Sequence, residues 1–270
     1  GEGADELFGG YNRYSITANW WSKLSKVPLP VRSLLKSAIE TISPNLWNAS
    51  LGRLVTGNNP QVNLGDKLHK GAKVLTSRSI DELYTRLISN IDLNENWLAE
   101  DKVLEPKMPI LSGLDKLNPI EKMMVRDLIG YLPTDILTKV DRAAMAVSLE
   151  TRVPFLDPDV IEFSASLPLD FKIRNGVSKW VLREVLYRYV PKNLIERPKM
   201  GFGVPLDTWL RGPLRDWAEV LLNEKRLQEE GFFNASLVRN KWIEHLSGKR
   251  NWHHQLWSVL MFQAWLEKNH

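Results

Sequence analysis

The sequence predicts a mainly α-helical protein with few or no strands. Three observations carry this expectation. Apolar residues recur at three- and four-residue spacing in one segment after another, no strong run alternates apolar and polar residues, and prolines punctuate the starts and ends of the periodic stretches. In "VPLPVRSLLKSAIETI", Pro28 and Pro30 precede Val31, Leu34, Leu35, Ala38, Ile39 and Ile42, which marks a helix with a proline-set start. "GNNPQVNLGDKL" is a turn-rich connection. "SRSIDELYTRLIS" resumes the 3.6-residue period, with Ser79 as N-cap and Glu82 three residues on to complete a capping box.

From Asn118, the residues Ile120, Met123, Met124, Leu128 and Tyr131 form a core-facing stripe, which Pro133 is expected to break. "ILTKVDRAAMAVSLETR" keeps helical spacing, and "VPFLDPDVIEFSASLP" reads as an extended lead into a helix that begins near Asp157. "SKWVLREVLYRYVP" carries Trp180, Val181, Val185, Leu186 and Tyr189 on one side and ends at Pro191. "MGFGVPLDTWL" is a glycine-punctuated loop feeding another helix, and the last segment has a long stripe through Leu256, Trp257, Leu260, Met261, Ala264 and Trp265.

With 270 residues, 43% of them hydrophobic, the chain can bury a sizeable core as one large or two modest domains. No stretch approaches 18 consecutive apolar residues, so no membrane contact is expected. The absence of cysteine excludes a disulfide framework or thiolate metal site and suits the cytoplasm. A net charge of +4 is dilute over this length. The densest basic stretch, "SGKRNWHH", sets Lys249, Arg250, His253 and His254 around Trp252 without any nucleic-acid motif, so no nucleic-acid partner is expected. Neighbouring histidines point apart on a helix, and His253 and His254 read as surface residues.

Three polar clusters sit in otherwise apolar surroundings. In "GEGADELFGGYNRY", Glu2, Asp5 and Glu6 share one face of a helical turn beside glycines that let backbone approach a ligand. Lys139, Asp141 and Arg142 lie upstream of Glu150 and Arg152, and Lys199 lies in "ERPKMGFGVP". Each has an ordinary explanation alone: a helix start, an exposed helix face, a local ion pair, a solvated loop. Together, cations from two segments and carboxylates from a third are the parts that hold a polyphosphate and its magnesium.

The motifs "GEGADELFGGYNRY", "LPTDILTKVDRAAMAVSLETRVPFLD", "KWVLREVLYRYVP" and "ERPKMGFGVPLDTWL" occur in that order. In this the chain resembles the synthetase domain of glutamine-dependent asparagine synthetases, loosely between about Ser15 and Asn118 and closely elsewhere. The resemblance implies that residues 1–270 are the helical C-terminal part of an α/β adenine-nucleotide hydrolase-like (PP-loop) synthetase domain. The S-G-G-x-D-S loop for ATP and an N-terminal glutaminase domain would lie upstream, outside this sequence, and the fragment alone would be inactive. It further implies ATP and Mg²⁺, attack of the aspartate carboxylate on the α-phosphorus of ATP, and capture of β-aspartyl-AMP by ammonia from glutamine. Glu2 and Lys199 match catalytic positions, and Gly1, Glu2 and Lys199 match nucleotide-binding ones. Asp5 and Glu6 match acids near the metal and aspartate, with Mg²⁺ reached through Asp5. Lys139, Asp141 and Arg142 match a variable substrate- or phosphate-side segment, and Arg152 and Asp157 match residues that fix architecture beneath the site. A homodimer stays open. So do two alternatives: a family member that amidates another carboxylic acid such as a sugar acid, and a non-catalytic helical nucleotide-binding or interaction module.

Overall fold

The computed structural model describes residues 1–47, 64–91, 95–99, 113–196 and 203–269. The chain forms two compact units. The first comprises Gly1–Lys26, Ser79–Tyr84 and Lys107–Met200, and the second Val27–Arg78, Thr85–Pro106 and Gly201–His270.

In the first unit, the short helix α1 (Ala4–Leu7) and α2 (Asn12–Leu24) pack on α3 (Pro119–Ile129). Asn118 caps α3 by accepting from the amides of Ile120 and Glu121, while the Glu121 carboxylate returns to the Asn118 amide. Met123 and Met124 are buried with Tyr14 and Tyr84, as the stripe predicts. Pro133, however, does not end the helix. A π-helical segment (Leu132–Leu137) carries the chain straight into α4 (Thr138–Met145). The wider turn accommodates the missing proline N–H, and the Thr134 hydroxyl and amide both donate to the Gly130 carbonyl.

Downstream, Asp157 caps α5 (Pro158–Ser166) through the Asp159 amide, where the sequence places that start. The strands Ile173–Arg174 and Val177–Ser178 form an antiparallel hairpin in register Ile173↔Ser178. Asn175 and Gly176 both take positive φ, 51° and 78°, the hand of a type I′ turn. This "NG" signal is legible in the sequence although no alternating run surrounds it. Helix α6 (Trp180–Leu186) follows, but its apolar stripe is not a core face, since Val185, Leu186 and Tyr189 are exposed. Met145, Val147 and Leu149 are exposed as well.

The second unit holds α7 (Leu29–Thr41), packed on α8 (Leu64–Leu75), and the larger core. Around Trp242 that core gathers Leu210, Leu221, Leu227, Val238, Leu256 and Leu260 from α9 (Leu206–Arg211), α10 (Arg215–Leu221), α11 (Glu224–Glu230), α12 (Ala235–Leu246) and α13 (His253–Asn269). Within the predicted terminal stripe Leu256 and Leu260 are buried, whereas Met261 and Trp265 face outward. Val31, Leu34 and Leu35 of α7 are also exposed. Helix Ile80–Ile88 begins in the first unit, its Glu82 amide capped by Ser79 Oγ at 3.1 Å. Among the described residues no helix is long and apolar enough to cross a membrane.

His245 is wholly buried beneath Trp242, and its Nδ1 accepts from the Trp252 amide at 3.3 Å. Burial, then the Arg211 guanidinium, hold its pKa down to about 4. Between roughly pH 6.5, the unfolded value, and 4, the unfolded chain binds the proton first, so stability falls as pH drops through that window. Denaturant melts of the intact protein at pH 7 and 4.5 are expected to show this loss, and His245→Gln is expected to reduce the pH dependence.

Candidate functional site

The opening motif packs on Phe155 and Leu156. A Cβ on Gly1 would stand 2.6 Å from the Phe155 ring, and one on Gly3, whose φ is +83°, 2.6 Å from Leu156 Cδ2. "RVPFLD" therefore fills the space left by missing side chains in "GEG", and only glycine fits without displacement. Phe8 meets Phe155 edge-on at 6.1 Å. The hairpin closes the other side, where the Lys179 amide donates to the Phe8 carbonyl at 3.2 Å and Ile173 occupies the space over Gly9.

Asp5 pairs with Lys179 Nζ at 2.9 Å, both side chains about a quarter exposed. Gly10 lets them meet, because a Cβ there would overlap Asp5 Oδ1 and Lys179 Cε. Gly10→Ala is therefore expected to separate this pair. The check is a comparison of Gly10→Ala with Lys179→Met by thermal melting, where the glycine change should lower Tm at least as far because it crowds both side chains as well as parting them.

Glu6 is 2% exposed and accepts from the Tyr11 hydroxyl at 2.8 Å. Burial raises its pKa, partly opposed by that hydrogen bond, while Asp5 and Asp127 add to the rise. Behind it the Arg13 guanidinium lies 4.1 Å over the Tyr11 ring and 4.7 Å over that of Tyr131. Arg13 then donates to Asp127 Oδ2 at 2.6 Å, and the same oxygen accepts from the hydroxyls of Tyr14 at 2.7 Å and Tyr84 at 2.6 Å. Asp127 is 1% exposed, and among the described residues its Oδ1 has no hydrogen-bond partner. Burial pushes the Tyr14 and Tyr84 pKa values well up, with hydrogen bonding to Asp127 adding to the rise.

On its other side Glu6 borders a cavity of about 200 Å³ lined by Leu7, Glu121, Met124, Ser164 and Lys172. Lys172 is buried, and desolvation lowers its pKa against the pull of Glu121. The site is thus an apolar pocket lined by two acids, Glu6 and Glu121, and one ammonium, Lys172, and backed by a charged tyrosine cluster.

The other sequence-assigned residues are placed differently. Gly1 and Glu2 are exposed at the rim of the motif. Lys139, Asp141 and Arg142 lie exposed on α4, Arg142 reaching Asp141 at 3.5 Å, and among the described residues no hydrogen bond or ion pair joins them to the opening motif. Arg152 pairs with Glu150 at 2.6 Å in the open. Lys199 lies outside the described residues. Glu196, three residues before it in the sequence, is held by Arg183 Nη1 at 2.7 Å and by the Tyr187 hydroxyl, and these bonds, Tyr187 first, keep its pKa low. Sequence reasoning missed Arg13, Tyr14, Tyr84, Asp127, Lys172 and Lys179. The "NG" turn could have drawn attention to the two lysines, since it fixes what lies on either side.

Known proteins bear directly on this arrangement. A match to the asparagine synthase family runs over residues 1–267. The chain is 29% identical over 268 residues to "Asparagine synthetase [glutamine-hydrolyzing] 1" of Bacillus subtilis, covering 98% of this chain and 39% of that protein. To a "Putative asparagine synthetase [glutamine-hydrolyzing]" of Mycobacterium tuberculosis it is 33% identical over 273 residues, covering 98% and 38%. A Bos taurus "Asparagine synthetase [glutamine-hydrolyzing]" is 29% identical over 163 residues, 53% of this chain and 28% of that protein. The chain thus spans about two fifths of the length of the bacterial relatives. No solved structure matches it. With nearly every residue inside the match and its opening glycines packed on its own "RVPFLD" segment, the chain belongs to the asparagine synthase family.

Proposed function

We propose that this chain is the helical, substrate-holding part of an enzyme that uses ATP to amidate aspartate to asparagine, with ammonia drawn from glutamine by a glutaminase domain of the same protein. The observation that carries the reading is the family match across the opening motif, together with the close packing of its glycines on Phe155 and Leu156. The names and greater length of the bacterial relatives favour glutamine as nitrogen source and an upstream domain. A cytoplasmic setting fits such chemistry.

In this reading a β-carboxylate oxygen of aspartate attacks the α-phosphorus of ATP and the bond to the β,γ-pyrophosphate breaks, leaving β-aspartyl-AMP. The nitrogen lone pair of ammonia then attacks the acyl carbon, AMP leaves, and Glu2, exposed at the rim, takes the proton lost from nitrogen. Lys199 stabilises negative charge on the phosphoryl oxygens. Glu6, buried against Tyr11, holds the first turn rather than meeting bulk solvent. Gly1 leaves backbone open to the nucleotide, and Lys139, Asp141 and Arg142 form the outer, substrate-side group.

Magnesium would arrive with the triphosphate. Among the described residues no three acidic or histidine side chains converge on a metal site, and Asp5 is engaged by Lys179. The described residues therefore do not make a complete magnesium site.

The test is acceptor-dependent pyrophosphate release by the intact protein. Release with aspartate, and asparagine formed when glutamine is added, is the expected result. Release with a sugar acid and none with aspartate would assign the same adenylation to another acceptor. No release with any acid would leave a nucleotide-binding or interaction module.

A further inference from the structure

The second unit contains a cleft of about 260 Å³ that the proposed reaction does not use. Lys70 and Lys73, one helical turn apart on α8, enter from one side, and Arg250, Trp252, His253 and His254 from the other. "SGKRNWHH" is therefore not a plain surface stretch. The rings of His253 and His254 lie 4.0 Å apart instead of pointing away from each other, because they occupy the first turn of α13 and Asn251 Oδ1 holds His253 Nδ1 at 2.6 Å.

The charge in the cleft is one-sided. Glu40 is the carboxylate that lines it, and Glu40 faces Lys36 at 3.9 Å. Among the described residues no ion pair neutralises Lys70, Lys73 or Arg250. Lys73 instead stands 5.7 Å and Arg250 5.8 Å from the Trp252 ring. Arg86 is fixed at the wall by its bonds to the Lys73 carbonyl and Thr76 Oγ1. Among the described residues three cations from separate segments thus face a recess whose lining has a single carboxylate, Glu40, and such an arrangement is matched by an anion with several acceptor oxygens. The partial positive charge at the start of a 17-residue helix adds to the same field.

We propose that this cleft binds a compact, multiply charged oxyanion of the phosphate class, held chiefly by Lys70, Lys73 and Arg250. A recess of this size takes a small phosphorylated species, whereas a nucleic-acid strand calls for an extended basic track. Burial and the adjacent His254 hold His253 neutral down to about 4, which agrees with a cleft short of negative charge when empty.

The experiment is ¹H–¹³C NMR of the histidine- and tryptophan-labelled intact protein titrated with inorganic pyrophosphate. The chain has five histidines, of which His69, His253 and His254 line the cleft, and the tryptophan side-chain signals of the second unit's core, such as Trp242, serve as folding references. Single His253→Gln and His254→Gln variants assign the signals. Saturable shifts of His253 and His254 at constant ionic strength are expected, and a Lys70→Gln/Lys73→Gln double variant should weaken them about tenfold or more, as loss of charge-assisted contacts requires. If the reference signals show that this variant misfolds, Arg250→Gln is read in its place. Shifts that sodium chloride reproduces, or an affinity that the lysine and arginine changes leave intact, would overturn the proposal. Tighter binding of an oligonucleotide than of pyrophosphate would overturn the compact-anion class. The Lys70→Gln/Lys73→Gln variant, which changes no residue of the proposed reaction, should keep acceptor-dependent pyrophosphate release, so failure here and failure of the amidation reading are separable.

Discussion

Asp127→Ala should destabilise the first unit of the intact protein by about 3–5 kcal/mol, the range for removing one partner of a buried ion pair. Asp127 Oδ2 receives Arg13, Tyr14 and Tyr84 together, so its removal leaves a guanidinium and two hydroxyls without their acceptor. Tyr14→Phe removes one donor and leaves the acceptor bonded to the others, so it should lose only about 1 kcal/mol. Chemical denaturation followed by hydrogen exchange in residues 119–129 would separate the two. A loss from Asp127→Ala as small as that from Tyr14→Phe would mean that packing of the rings, not the carboxylate, holds the cluster.

Lys199→Ala should lower the single-turnover rate of pyrophosphate release about 10²- to 10³-fold at saturating ATP and aspartate, with little change in the binding of either. The expectation follows from placing its ammonium on charge that develops only as the α-phosphorus is attacked. Lys199→Arg should rescue poorly, since a planar fork does not fill the place of a compact ammonium. The glutaminase half-reaction should persist at least in part. Rates within about threefold of wild type, far short of a lost transition-state contact, would reduce Lys199 to an ordinary loop lysine.

The helices were legible because burial imposes a 3.6-residue period on any chain that packs one face. Asn118, Asp157 and the Met123–Met124 stripe all fall where that logic puts them. Pro133 did not, since a local rule about a missing N–H cannot anticipate a π-helical turn that absorbs it. The exposed faces around Leu34, Val185 and Tyr189 show the same limit, because periodicity tells which residues share a face but not what covers it.

The site was legible in its first ten residues and not behind them. Glycines at 1, 3 and 10 advertise close approach, yet their partners Phe155, Leu156 and Lys179 lie far along the chain, and nothing local to those residues says which glycine each one meets. Asp127 stands in "VRDLIG" as an unremarkable helix acid, and only the fold brings Arg13, Tyr14 and Tyr84 to it.

The Asn175–Gly176 hairpin has a consequence for how this region can vary over evolutionary time. Surface turns usually tolerate added residues, and a two-residue turn on short strands looks like an easy place for one. Here the turn fixes Lys172 in the cavity and Lys179 on Asp5 at once. One inserted residue would lengthen the turn or slip the pairing, and a slip would shift Lys172 and Lys179 relative to each other. Related chains that keep both lysines should therefore drift in sequence between them while keeping the same number of residues.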